Sequence, residues 1–150
     1  KKSFSCIIQF YKKKFPNTKF IDLMIVDTFG ENDKRGKLIN TLRQNYQKEK
    51  TSKIISKKLY LNLINVGDIT DAVKIILKDK VQSGKYILKN SNYFNIFELI
   101  KYINKYNNKK IKVKWLSNIF IKNKILKYKK IKTWNPKKSN LSNIKDLILN

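Results

Sequence analysis

The residues that could do chemistry gather in one short stretch, Val26-Asp27-Thr28-Phe29-Gly30-Glu31-Asn32-Asp33-Lys34-Arg35. It sets carboxylates, a hydroxyl and a guanidinium just after the apolar run Phe20, Ile21, Leu23, Met24, Ile25 and Val26. A nearly continuous apolar run of that length is what a strand covered on both faces requires. Open α/β sheets place ligands at the carboxyl ends of their strands, so Asp27 to Arg35 is the expected ligand loop. Other chemistries are excluded by residue type. With one cysteine, Cys6, and no histidine, these residues can form no internal disulfide, no Cys/His zinc site and no Ser-His-Asp triad. Cys6, beside Ile7, reads as a buried structural thiol.

Elements on both sides must position the loop. Phe4, Ile7, Ile8, Tyr11 and Phe15 share one face at helical spacing, lysines gather toward the end, and Pro16 stops the helix. After the loop, Leu38, Ile39, Leu42 and Tyr46 mark a second helix that dissolves into the polar run Gln47 to Ser52. Ile54-Ile55 is a short strand, and Leu59, Leu61 and Leu63 alternate with polar residues and lead to Ile64 and Val66, the pattern of one half-buried strand. Asp68 then reads as the N-cap of the clearest helix, with Ile69, Ala72, Val73, Ile76 and Leu77 on one face and Asp71 near its positive end.

Farther on, Ser83-Gly84 predicts a turn, Tyr86 and Leu88 a strand, and Asn95-x-x-Glu98 a capping box ahead of Ile96, Leu99, Ile100, Ile103 and Tyr106. Asn107-Asn108 ends that helix. Ile111, Val113 and Trp115 alternate as a strand with one wet face, 118–131 is expected to be helical, and Trp134-Asn135-Pro136 to turn. Leu141, Ile144, Leu147 and Ile148 predict a last short helix. Helices mixed with short strands make the class α/β.

The 150 residues, 41% hydrophobic, can bury one core and form one domain or part of a larger one. A net charge of +25 would ordinarily point to nucleic acid or an anionic surface. However, Lys, Asn and Ile supply 73 of the 150 residues while Arg occurs twice, which is the signature of A/T-rich codon drift. Phosphate recognition favours the two-pronged geometry of Arg, so the scattered lysines read mainly as a solvated surface. A small basic nucleic-acid-binding protein is kept as the alternative, resting on charge, 18 aromatics and the basic stretch Lys122 to Lys132. No apolar run is long enough to span a membrane and no signal-peptide pattern opens the chain, so the expected location is cytoplasmic. The first residue is Lys, which suggests a reading frame that began earlier.

Four stretches, in order, resemble the extended short-chain dehydrogenases/reductases, the NAD(P)-dependent epimerase/dehydratase family. Asp27-Thr28-Phe29-Gly30-Glu31-Asn32-Asp33-Lys34-Arg35 is similar to the family's Asn/Asp-x-Tyr-Gly-Pro-x-Asp-x-Arg loop. Val66-Gly67-Asp68-Ile69-Thr70-Asp71-Ala72 resembles its Val-x-Asp-Val-x-Asp-Ala segment. Gly84-Lys85-Tyr86-Ile87-Leu88, with Phe97-Glu98-Leu99-Ile100 after it, resembles its Gly-x-Tyr-Asn-Leu strand and following helix. Trp134-Asn135-Pro136 with Leu141 is similar to its Trp-x-Pro ending.

The resemblance implies the C-terminal part of a Rossmann-type fold plus a small α/β substrate-binding subdomain. Residues 1–35 would be the tail of the dinucleotide-binding domain and 36–150 mainly the substrate subdomain, with 84–89 returning as a strand to the main sheet. Lys1 fits the Lys of the family's Tyr-x-x-x-Lys pattern, whose Tyr would lie four positions upstream, and would hold the nicotinamide ribose and lower the Tyr pKa. Asp27 would face the sugar or the nicotinamide, and Arg35 and Lys37 the phosphates of the carrier. The implied cofactor is NAD or NADP, the implied partner a nucleotide-sugar, and a homodimer is compatible with it. The bland readings are a turn cap for Asp27, surface charge for Arg35 and Lys1, packing for Phe29, Trp134 and Pro136, and an N-cap for Asp68.

Departures from the family narrow this. No Gly-x-x-Gly-x-x-Gly turn is present, so these residues alone are not expected to bind the cofactor well or to catalyse. Leu61 and Met24 stand where many members carry Arg. The Asp-Thr-Phe-Gly loop with Leu61 looks most like 4-reductases acting on cytidine diphosphate sugars of the abequose and paratose type. A non-functional remnant of such a reductase is the further alternative.

Overall fold

A computed structural model describes residues 2–78, 81–122 and 128–150. The apolar run after Pro16 forms β1 (Ile21–Ile25), and after a break at Val26 the loop's first residues form a second strand, β2 (Asp27–Phe29). The two strands find different partners. β1 pairs in parallel with a strand at Gly84–Leu88, Ile21 opposite Gly84, whereas β2 pairs in parallel with one at Leu63–Asn65, Asp27 opposite Leu63. The chain therefore changes sheets at Val26, where the expected ligand loop begins.

Helix α1 (Lys2–Lys14) precedes β1, with Lys12, Lys13 and Lys14 in its last turn, as the sequence predicts. Its burial differs from expectation. Phe4, Ile7, Phe10, Tyr11 and Phe15 are exposed, and so is Cys6, which is not the buried thiol that its neighbours suggested. No described element packs broadly on this helix, and its aromatic rings meet mainly one another, Tyr11 stacking on Phe15 at 6.0 Å. β1 likewise is half-buried rather than covered on both faces, Ile25 being 43% exposed, because among the described residues it has a strand on one side only.

After the loop comes α2 (Leu38–Gln47), with Leu42 fully buried, and then β3 (Ser52–Ile54). The single strand expected over 59–66 is two, β4 (Leu59–Leu61) and β5 (Leu63–Asn65), in separate sheets. Asn62 divides them. Its buried side-chain amide donates to the Asn90 and Asn92 carbonyls, both at 3.0 Å, and accepts from the Asn90 N–H at 2.8 Å. A buried amide must be satisfied, and this one spends the strand junction on a loop 28 residues away.

Helix α3 (Val66–Lys78) follows β5 directly. The expected N-cap, Asp68, lies inside the first turn; Asn65 does the capping, its Oδ1 accepting from the Gly67 N–H at 2.8 Å. β6 (Gly84–Leu88), β7 (Phe94–Asn95) and α4 (Ile96–Lys105) come next, and the Asn95 side chain accepts from the Glu98 N–H as the capping motif predicts. β8 (Val113–Trp115) pairs with β3, and β9 (Ile121–Lys122) pairs with β4, which also carries β7 on its other side.

The helix expected over 118–131 is absent from its described residues, which hold β9 and a bridge between Lys129 and Tyr86; 123–127 lie outside them. The turn expected at Trp134-Asn135-Pro136 comes earlier, over 131–134, the Trp134 N–H closing on the Ile131 carbonyl. The final helix is α5 (Leu141–Leu149), capped by Asn140.

One core gathers Leu42, Ile54, Leu63, Leu99, Ile103 and Ile144 between α2, α4, α5 and the short strands; a second holds Ile64, Ala72, Tyr86 and Leu88 beneath α3. The architecture is α/β. Among the described residues no helix is long and apolar enough to cross a membrane.

Candidate functional site

The loop after β2 is organised around Thr28. Its hydroxyl oxygen accepts from Arg35 Nη2 at 3.0 Å and from Lys37 Nζ at 3.1 Å, which gathers two of the loop's cations on one strand residue. Arg35 also grips Asp33 with two prongs, Nε to Oδ1 and Nη2 to Oδ2, each 2.7 Å. Two-pronged contacts of this kind are strong and fix orientation. The Arg35 guanidinium, first through that hydrogen bond, lowers the Asp33 carboxyl to about 2, and Asp33 in turn raises Arg35 above its usual value. The Asp33 side chain is 7% exposed beneath an arginine that is 59% exposed.

Two further anchors hold the loop. Arg43, on α2, donates from Nη1 to the Glu31 carbonyl at 2.9 Å, and Asn40 donates to the Arg35 carbonyl at 2.9 Å. Both arginines of a lysine-rich chain are thus spent on this loop. Gly30 passes close to α3, where a Cβ would stand 3.1 Å from Val66 Cγ2, tighter than ordinary contact.

Beside the loop lies a cavity of about 330 Å³ with apolar walls that include Ile54, Leu59, Leu61 and Leu63, and with Asp27, Lys37 and Lys53 among its lining residues. The structure therefore brings two of the sequence-predicted residues, Asp27 and Lys37, to one cavity. Arg35 lines a different one, of about 560 Å³, with Asp33 and Gly67. Lys1 lies outside the described residues. Leu61, noted for standing where an Arg was expected, is part of the apolar wall. Phe29 is buried in the core.

Sequence reasoning missed Thr28 as the hub and Lys53 as a lining cation. Neither carries a motif, and Lys53 could have been found only as the outward position of the alternating Ser52-Lys53-Ile54 strand.

Asp68 is not the cap of α3 but a buried tie between two segments. It is 2% exposed, and its carboxylate accepts from the Lys137 and Lys138 N–H groups and from the Ser139 hydroxyl, while the Trp134 indole donates to its carbonyl. This ties the start of α3 to the segment before α5.

The loop is held by both arginines and borders an apolar cavity that Lys37 lines. The chain has the fold of part of the NAD-dependent sugar epimerases and dehydratases. UDP-glucose 4-epimerase of Thermus thermophilus, solved with NAD, matches at a TM-score of 0.72 and 13% identity, over 97% of this chain and 50% of that one. The dTDP-glucose 4,6-dehydratase of Bacillus anthracis, also with NAD, matches at 0.69 and 17%, over 95% and 48%. UDP-N-acetylglucosamine 4-epimerase of Methanobrevibacter ruminantium, solved with UDP-N-acetylmuramic acid, matches at 0.67 and 14%, over 93% and 49%. At these identities the likeness is one of fold, and the chain spans about half the length of the structures it matches. No family model and no curated protein matches.

The described residues do not fit a dinucleotide pyrophosphate. Such a group needs glycines open to backbone approach at a strand-to-helix turn. Here Gly30 faces Val66 and Gly67 faces the Lys138 side chain; Gly36, six residues after Gly30, is open ahead of α2, but Asp33 stands where the middle glycine of such a turn would be. No hydride step follows from these residues. Among the described residues no group of His, Cys, Asp and Glu could hold a metal.

Proposed function

We propose that the chain is the substrate-side part of an NAD(P)-dependent nucleotide-sugar oxidoreductase. The observation that carries this is the meeting of Asp27 and Lys37 at one apolar-walled cavity just beyond the carboxyl end of β1. The fold shared with sugar epimerases and dehydratases supports it. On this reading Lys37 takes the carrier's diphosphate, Asp27 faces the sugar, and Arg35, through Asp33 and Thr28, shapes the loop while its exposed edge remains toward the phosphates. Lys1 would supply the ribose contact next to a Tyr and a dinucleotide cradle that the 150 residues do not contain.

Within the class, the Asp27-Thr28-Phe29-Gly30 loop with the apolar Leu61 on the cavity wall favours a 4-reductase by its resemblance to that type. The test uses the intact gene product. Nucleotide-sugar-dependent change in nicotinamide absorbance should be seen and should fall at least about tenfold in Asp27→Asn, in line with the loss of a charged hydrogen bond. No turnover with any nucleotide-sugar and either nicotinamide would sink the reading.

The nucleic-acid alternative gains nothing specific. Several rings that could stack on bases already carry a lysine of the same chain, Lys122 over Tyr93 at 4.1 Å and Lys109 over Tyr46 at 4.9 Å.

A further inference from the structure

A second lysine, Lys53, lines the Asp27–Lys37 cavity, and it comes from a different element, β3. Its backbone is held on both sides. The Ser52 N–H donates to the Lys112 carbonyl at 2.9 Å, the Ser52 hydroxyl accepts from Asn45 of α2 at 2.9 Å, and Ile54 is set in the core at 1% exposure. With both strand neighbours buried, Lys53 is the residue of β3 that points outward.

Its charge is placed differently from those of Arg35 and Lys37. Arg35 is spent on Asp33 and Thr28, and Lys37 on Thr28. Among the described residues the ion pairs are those of Arg35, Lys109, Lys138 and Lys145, and Lys53 enters none. Across the parallel β3–β8 pairing it stands in register with another lysine, Lys114. Like charges at opposed strand positions repel, so the pair costs stability that a bound anion would return. The abundance of lysine accounts for the residue type but not for this position, at a cavity whose Leu59, Leu61 and Leu63 walls bear no charge and screen little. Asp27 is the one carboxylate among the lining residues, against Lys37 and Lys53.

A diphosphate spreads its charge over two phosphoryl groups, and one ammonium leaves the second unmatched. We propose that Lys53 is the second diphosphate-holding residue of this cavity and makes it select nucleoside diphosphates over monophosphates. This rests on the nucleotide-sugar reading and deepens it.

The experiment is calorimetric titration of the intact gene product, and of its Lys53→Gln, Lys37→Gln and Lys74→Gln variants, with the diphosphates and monophosphates of uridine and cytidine. Lys74, on α3, is not among the lining residues and serves as the charge-matched control. Lys53→Gln should weaken the diphosphates at least about fivefold and the monophosphates less than about twofold, and Lys74→Gln should leave both within about twofold. Because Lys53 is exposed beside a like charge, its substitution should not lower the thermal midpoint of the ligand-free protein, which separates lost affinity from lost folding. Unchanged diphosphate affinity in Lys53→Gln, with a loss in Lys37→Gln, would overturn the proposal and leave the nucleotide-sugar reading standing. Equal losses for monophosphates and diphosphates would also overturn it. Binding of no nucleotide by the unaltered protein would remove the nucleotide-sugar reading and this proposal with it.

Discussion

Among single residues, Arg35 and Asp33 decide the state of the loop. The Asp33 carboxyl is lowered to about 2 by the hydrogen-bonded Arg35, below an ordinary aspartate near 3.9. A depressed carboxylate stabilises the fold fully above its unfolded pKa, and the contribution disappears as pH falls through the folded value. The loop is thus expected to be indifferent to pH from neutrality down to about 4 and to loosen only toward pH 2. In Arg35→Gln the Asp33 titration, followed by carboxyl NMR, should move up toward the ordinary value; an unmoved titration would show that the ion pair does not form in solution. The sequence displayed these residues but not their arrangement. Asp33-x-Arg35 and Lys37 are visible as charges, whereas their convergence on the Thr28 hydroxyl depends on the path of the loop.

The elements show where sequence patterns are informative and where they stop. Asn95-x-x-Glu98 forecast its cap because every participant is local. The 59–66 alternation concealed a division into two strands because Asn62 is satisfied by a loop beyond α3, which no local pattern records. Asp68 was misassigned for the same reason: its partners are 69 to 71 residues away. That distant tie carries a stability consequence. Asp68→Ala would leave the Lys137 and Lys138 N–H groups without their acceptor and should cost about 3 kcal/mol, the scale of losing a buried, charged hydrogen-bond acceptor. Denaturant unfolding of the intact gene product measures it, and a loss under about 1 kcal/mol would mean that the segment before α5 does not depend on the carboxylate. Periodicity identified α1 and its apolar face correctly, yet it could not say whether anything covers that face.

For the whole molecule, α1 leaves an apolar face exposed and β1 has one partner strand among the described residues. Open strand edges and contiguous apolar surface favour association, and a charge of +25 opposes it only until salt screens it. The 150 residues expressed alone should therefore self-associate at physiological salt; a monodisperse monomer that unfolds cooperatively in sedimentation and thermal measurements would refute this. The α/β class was legible because helices and strands differ in period. The sheet pairing that sets Asp27 beside Leu63 of the cavity wall was not, since it joins residues far apart in sequence.

The function proposed for the molecule turns on this cavity taking a nucleoside diphosphate carrier. Equilibrium binding of cytidine and uridine diphosphates should therefore be measured on the intact gene product and on its Lys37→Gln variant. Saturable binding of at least one of them, weakened about tenfold or more by the substitution, is the expected outcome. Binding of neither, or equal affinity in protein and variant, would refute the assignment of the cavity.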